Sequence, residues 1–567
     1  MERLKLLAAA AFIAVTGLSA PASQADTADR HMIAAANPHA AEAGLEILRA
    51  GGSAVDAAIA AQMVLGLVEP QSSGIGGGAF LMHYRADDRL VEAYDGRETA
   101  PAAATGDMFL GPDGEPRKFY DAVVGGLSVG VPGVVRMLEL AHRDHGRLPW
   151  ADLFAPAIGL AEQGFAVSPR LHFLIDRDKM RLTTYFPAAS YFYDADGEAL
   201  PVGTVLRNPA YAEVLKEIAA NGADAFYEGR VAEDIVATVR DAVLNPGRMT
   251  IVDITAYKAV KRKPVCGAYR GYRVCGMPPP SSGGVTVAQI LGILGQFDLA
   301  AGGPGDPASA HLIAEAGRLA FADRNLYLAD TDFVPAPLKG LLDAAYLADR
   351  AKLISREKSM GKASAGEPPR DHGALSPMTD DFERLSTTHL SVVDDAGNAV
   401  SMTSSVENAF GSRLMTHGFL LNNQLTDFSF QPERDGVAIA NRVEPGKRPR
   451  SSMAPTIVTD GDGRLVMAVG SPGGSRIIGY VAKTLVGVID WKLGMLAAID
   501  LPHVVNRNGR TELEADTPIA ALKPALEALG HEVGVGGLNS GLHGILVTPH
   551  GLDGGADPRR EGVALGD

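Results

Sequence analysis

The order of apolar and polar residues changes character twice along the chain. An opening run, LLAAAAFIAVTGLSA, is apolar throughout, follows Arg3 and Lys5, and gives way to small residues at Ala20, Ala22 and Ala25. That succession predicts a secretory leader over residues 1–25, cut near Ala22 or Ala25. The mature chain is then expected to be exported, into the periplasm of a Gram-negative cell. The run is too short for a membrane span, and no later stretch reaches the ~18 uninterrupted apolar residues that a spanning helix needs.

Helical patterning follows. NPHAAEAGLEILRAGG reads as a helix stopped by Gly51 and Gly52. Ser53, with Asp56 three residues on, predicts a capping box opening a second helix. Its body, AVDAAIAAQMVLGL, is apolar almost all round and belongs between layers rather than on a surface. After SSGIGGG come the strand-like AFLMHY and RLVEAYDGRE. From about residue 131 to 350, helical stretches such as VPGVVRMLELAHRDHG and VTVAQILGILGQF alternate with turns, with no repeat of fixed period.

The second change comes at residues 351–386, where Gly, Pro, Ser and charge replace any apolar period, as in a flexible tail or linker. Beyond it lie strands: HLSVVDD, NAVSMTSS, GFLLNNQ, APTIVTD and RLVMAVGS. The last runs into PGGSRIIGYVAKTLVGVI, a glycine turn opening a helix. Helices first, a long breaker, then a cluster of strands predict an α+β fold of sheets sandwiched by helices.

Composition narrows the function classes. With 46% hydrophobic and 21% charged residues, the 567-residue chain has material for a large core. A formal charge of −15 argues against nucleic acid or an anionic membrane as the main partner, since both reward a clustered basic face. The two cysteines flank a turn at Arg270 and Gly271, which sets Cys266 opposite Cys275 on neighbouring strands. In an oxidising compartment they either close a structural disulfide or remain two thiols that meet by chance.

Two glycine patterns imitate known chemistry. GIGGGA at 74–79 fits a loose dinucleotide fingerprint, but a helix precedes it and a strand follows, the reverse of what that motif requires. GLSVG at 126–130 matches a nucleophile elbow and would make Ser128 the nucleophile of a hydrolase. No metal-ligand spacing appears among the 14 histidines, so no metal and no cofactor are expected.

The join between the breaker and the first late strand carries a third chemistry: Ser386, Thr387, Thr388, His389. Threonine starts strands readily, so these residues fit an ordinary strand entry. They also fit a cleavage site. A threonine hydroxyl is a weak nucleophile without an adjacent base. Breaking the peptide before Thr387 would free an α-amine with an ordinary pKa of about 7.7–8, placing nucleophile and base on one residue. The same hydroxyl attacking the Ser386 carbonyl would make the cut.

Together with that join, the blocks STTHLSVVDDAGNAVSMTSS, LLNNQLTDFS, KRPRSSMAPTIV and GSPGGSRII resemble the γ-glutamyltranspeptidase family. SSGIGGGAF, DGRETAPAAAT, GGLSVGVPG, MPPPSSGG and the late GADPRR add to the likeness, which runs from about residue 30 to the C-terminus and makes GLSVG and GIGGG family structural elements. The resemblance implies a four-layer αββα sandwich of the N-terminal nucleophile hydrolase type. It implies a self-cleaving precursor: a large subunit, 26–386, and a small one, 387–567, forming one domain. It also implies γ-glutamyl transfer from glutathione-like amides, through a threonine ester, to water or to an acceptor amino acid or dipeptide.

Carried over, Thr387 resembles the nucleophile and Ser405 the hydroxyl that supports its amine. Gly473 and Gly474 resemble the oxyanion-hole glycines. Arg97 would offer a planar fork to the substrate carboxylate, aided by Ser451 and Ser452. Glu407, Gln424 and Asp427 would face the substrate ammonium. Three departures stand out: Glu407 where many members have Asn, Ser405 where Thr is usual, and a 430–450 segment shorter than the usual lid and lacking its tyrosine. A short lid opens the acyl site, so hydrolysis, transpeptidation and an acylase-like activity on another amide all stay open.

Overall fold

The computed structural model describes residues 26–369 and 386–567. The predicted leader and the 370–385 part of the predicted tail lie outside the described residues. Two seven-stranded sheets pack face to face. In one, the order is 26–28, 551–556, 543–548, 465–470, 456–459, 272–276 and 265–269. In the other it is 563–566, 32–35, 388–393, 399–405, 78–85, 90–96 and 260–262, antiparallel throughout. Helices 38–49, 54–68 and 134–145 cover the outer face of this second sheet, and helices 283–294, 477–489 and 495–500 cover the first. The αββα order expected from the sequence is the one found.

Local signals act where they were read. Ser53 accepts from the Asp56 amide and Asp56 from the Ser53 amide, completing the capping box of helix Ala54–Val68. All 15 residues of that helix are buried, so its all-round apolar surface meets the sheet on one side and neighbouring helices on the other. Cys266 and Cys275 are register partners across a hairpin whose turn residues, Arg270 and Gly271, both have positive φ. The two sulfurs form a disulfide.

The predicted tail is not uniformly loose. Ser359 donates to Glu315 at 2.9 Å, Ala363 N to Asn508 at 2.8 Å and Gly366 N to Asp323 at 2.8 Å, so residues 359–366 lie fastened to the body without regular structure. Polar loops look alike in sequence whether or not buried partners await them. Among the described residues, no helix is long and apolar enough to cross a membrane.

Candidate active site

The two middle strands of the second sheet, Thr388–Val393 and Ala399–Ser405, pair antiparallel, with Thr388 opposite Ser404. This register brings Thr387, just before one strand, beside Ser405, the last residue of the other. Their hydroxyls lie 3.0 Å apart, and Ser405 Oγ also accepts from the Glu407 amide at 2.9 Å. Close approach of the glycine loop supports the corner: a Cβ on Gly77 would sit 2.2 Å from the Ser405 carbonyl oxygen. SSGIGGG is therefore a packing element of this site.

Thr387 is buried and has φ of +133° with the Ser386–Thr387 peptide intact. For a β-branched residue this is a rarely populated conformation, costing on the order of 1–3 kcal/mol. Flanking contacts hold it there. Ser386 Oγ donates to the Gln71 carbonyl, and Arg560 Nη1 donates to the Thr387 carbonyl at 2.8 Å. Glu407 nearby also has a positive φ, +76°, while Gly473, at +136°, occupies a region that glycine adopts freely.

A small, partly open cleft lies over Thr387. Ser405, Glu407, Gln424, Asp427, Ser451, Ser452 and Gly474 line it, joined by Met453 and Ile477. Gly474 opens a 3₁₀ turn that runs into helix Ile477–Ile489, with Gly473 immediately before it. A side chain at Gly473 would also collide with Tyr480, whose Cε2 is 2.6 Å from the position of a Cβ. Ser452 Oγ accepts from Arg324 at 2.6 Å, and Ser451 is braced by Ser282, whose hydroxyl donates to its carbonyl at 2.7 Å. The MPPPSSGG block thus supports the serine wall of the cleft.

Arg97 stands differently from the expectation of an open carboxylate fork. It is fully buried behind the cleft and does not line it. Its guanidinium pairs with Asp427 and donates to the carbonyls of Pro449 at 3.1 Å and Arg450 at 3.2 Å. The expected opposition of Arg97 to the carboxylate and Asp427 to the ammonium is, in this uncleaved chain, a direct ion pair. The physical reason is burial: a guanidinium removed from water must be paired. Glu98 lies beside it at 3.8 Å, and burial pushes its carboxyl up to about 8 against the pull of Arg97.

Sequence reasoning missed two residues that hold the site. Asn423 donates to Glu407 and to Thr426 Oγ1 at 2.9 Å, fixing the carboxylate at the cleft edge. Arg560 anchors the Thr387 carbonyl from the other end of the chain. Both sat inside quoted blocks, LLNNQLTDFS and GADPRR, but pairing across 16 and 173 residues has no sequence signal. His389, in the same join, is also a structural residue: it is buried, bonded to Thr403 at 2.8 Å and Ser391 at 3.1 Å, and burial holds its pKa well below the usual value.

Ser128 is outside the cleft. It is buried in a 3₁₀ turn and donates to the carbonyls of Val123 at 2.6 Å and Gly125 at 3.2 Å. Ser128→Ala should lose about 1–2 kcal/mol of stability and leave kcat/KM unchanged within assay error. A loss of activity comparable to removal of a nucleophile would restore the elbow reading.

Comparison with known proteins gives concordant results. A family model described as gamma-glutamyltranspeptidase matches residues 40–567. The glutathione hydrolase proenzyme of Escherichia coli strain K12 is 39% identical over 94% of this chain and 91% of its own. The protein of the same description from Bacillus subtilis strain 168 is 36% identical over 96% and 92%. Among solved structures, the cephalosporin acylase from Bacillus halodurans superposes with a TM-score of 0.85 at 28% identity, covering 98% of this chain and 99% of that one.

Proposed function

This chain belongs to the gamma-glutamyltranspeptidase family, and from that premise we propose that it is a self-cleaving γ-glutamyl hydrolase and transferase with Thr387 as nucleophile. The observation that carries the proposal is Thr387 itself, at a strand start under the cleft, in a strained conformation, with its hydroxyl 3.0 Å from Ser405. Attack of Oγ1 on the Ser386 carbonyl breaks the peptide C–N bond, forms an ester and frees the Thr387 amine. Water then hydrolyses the ester. The positive φ is a torsion about the bond from that nitrogen, so the cut releases the constraint that the preceding carbonyl imposes.

In the mature enzyme the amine takes the hydroxyl proton as Oγ1 attacks the γ-carbonyl of the substrate. Amides of Gly473 and Gly474 meet the developing oxyanion, where preorganised donors are most effective. The amine returns its proton to the leaving nitrogen, leaving a γ-glutamyl ester on Thr387. Water, or the amine of an amino acid or dipeptide, resolves it. Glutathione fits as a γ-glutamyl donor. Glu407, Gln424 and Asp427 form the side of the cleft suited to the substrate ammonium, and Ser451 and Ser452 the side suited to its carboxylate. Residues 26–386 and 387–567 are the two subunits of the export-matured protein, which we place in the periplasm, and the predicted leader carries it there.

The likeness to a cephalosporin acylase and the closed Arg97–Asp427 pair favour a second reading, an acylase for a different amide. Parallel assays on γ-glutamyl anilide and glutaryl anilide separate the two. Glutaryl keeps the carboxylate but lacks the ammonium, so it should be the poorer substrate because the acidic side of the cleft would face no positive charge. Preference for glutaryl would hand the site to the acylase reading.

A further inference from the structure

On the outer face of the second sheet, away from Thr387, three metal-ligating groups converge. His83 and Glu92 are register partners across the hairpin of strands Gly78–Arg85 and Leu90–Gly96. His145 ends helix Val134–His145, which lies over that hairpin. Their side chains are 3%, 8% and 8% exposed. His145 Nε2 lies 2.7 Å and His83 Nδ1 3.6 Å from the same oxygen, Glu92 Oε2.

His83 Nδ1 and Glu92 Oε2 are both buried, and their 3.6 Å separation is longer than an ordinary hydrogen bond. His145 Nε2 also lies 2.8 Å from Tyr94 OH. Tyr94 has another acceptor, Asp144 Oδ2 at 2.9 Å, so it can release the His145 lone pair without losing a partner. Lys261 holds the other Glu92 oxygen at 2.6 Å and Asp144 at 3.0 Å, the kind of outer contact that orients a ligating carboxylate.

Tetrahedral Zn²⁺ takes N and O ligands at about 2.0–2.2 Å, which puts ligand atoms roughly 3.3 Å from one another. The observed 2.7 and 3.6 Å straddle that value. We propose that His83 Nδ1, Glu92 Oε2 and His145 Nε2 form a zinc site. Water completes the coordination. The donor set, two imidazoles and a carboxylate, suits zinc among the common divalent cations. Its place in the fold gives it a structural role: it ties the end of a helix to the strand that leads directly into Arg97 and Glu98.

A second buried group, His311, Glu315 and His531, provides an internal contrast. There every ring nitrogen is used: His311 bonds to the Ser355 carbonyl and to His531, both at 2.7 Å, and His531 bonds to Thr511 at 2.9 Å. Glu315 accepts from Arg318, Ser359 and Met360. That cluster is saturated without a metal. Sequence spacing could not show the first cluster, because its ligands come from two strands and a helix end that only the fold brings together.

The test uses mature protein purified without a polyhistidine tag, stripped with chelator, then titrated with Zn²⁺ by calorimetry and with Co²⁺ by visible absorption. One equivalent per chain should bind, and Co²⁺ should give the intense visible bands of a tetrahedral site. Loss of an outer-shell partner commonly costs 10- to 100-fold in affinity, so His145→Asn and Glu92→Gln should each cost at least ~100-fold. Both variants should still hydrolyse γ-glutamyl anilide, which also certifies that they fold. The proposal is overturned if wild type binds no more metal than the His83→Asn/His145→Asn double variant, or if binding persists there and falls with His531→Asn.

Discussion

Thr387→Ala is expected to remain one polypeptide across the 386–387 junction and to show no measurable γ-glutamyl hydrolysis. Both losses have one cause, because the hydroxyl that would cut the Ser386–Thr387 bond is the hydroxyl that would carry the acyl group. Removing the nucleophile of a preorganised hydrolase costs roughly 10⁶-fold in kcat. Here the free amine, the proposed base, is lost as well, since it exists only after the cut. Thr387→Ser keeps a hydroxyl and should mature and turn over, more slowly than wild type. Denaturing electrophoresis and N-terminal sequencing check the first effect: wild type should give a small fragment beginning Thr-Thr-His. Cleavage at this bond in Thr387→Ala would remove the residue from the mechanism.

Arg97→Gln should mature yet lose at least an order of magnitude in kcat/KM on γ-glutamyl anilide. Removing one charged hydrogen bond costs about 1.5–3 kcal/mol, which is roughly 10- to 150-fold. Because Arg97 lies behind the cleft, the structure gives its removal two indirect consequences. Asp427, only 5% exposed, would lose its ion pair with Arg97, and breaking a buried pair by removing one partner is destabilising. The backbone at Pro449 and Arg450 would also lose its anchor, loosening the wall that carries Ser451 and Ser452. A lowered unfolding midpoint should therefore accompany the kinetic loss. Undiminished kcat/KM in a cleaved Arg97→Gln enzyme would show that Arg97 neither binds nor shapes the headgroup site.

Several features were legible in the sequence because they are local. The capping box at Ser53 and Asp56, the hairpin that joins Cys266 to Cys275, and the glycine turn before Ile477 each depend on residues a few positions apart. The position of Thr387 at a strand entry was legible for the same reason, since the breaker tract ends where the alternating strand Thr388–Val393 begins. The state of Arg97 was not legible. An arginine after a strand looks the same whether it faces solvent, substrate or a carboxylate 330 residues away, and only packing decides among them. The same holds for Arg560 and for the interleaving of the sheets, where residues 32–35 pair with both 388–393 and 563–566. Polar composition likewise concealed the fastening of residues 359–366, whose partners Glu315, Asn508 and Asp323 come from the body of the protein.

The covalent intermediate is the most direct test of the central claim. Mature enzyme mixed with γ-glutamyl anilide in the absence of acceptor, quenched in acid during turnover, and digested for mass spectrometry should yield the small-subunit N-terminal peptide carrying one γ-glutamyl group. Fragmentation should place that group on the Thr387 side chain, and addition of an acceptor dipeptide before the quench should deplete it. An acyl group found on Ser128 or another side chain, or full turnover with Thr387 never acylated, would contradict the account.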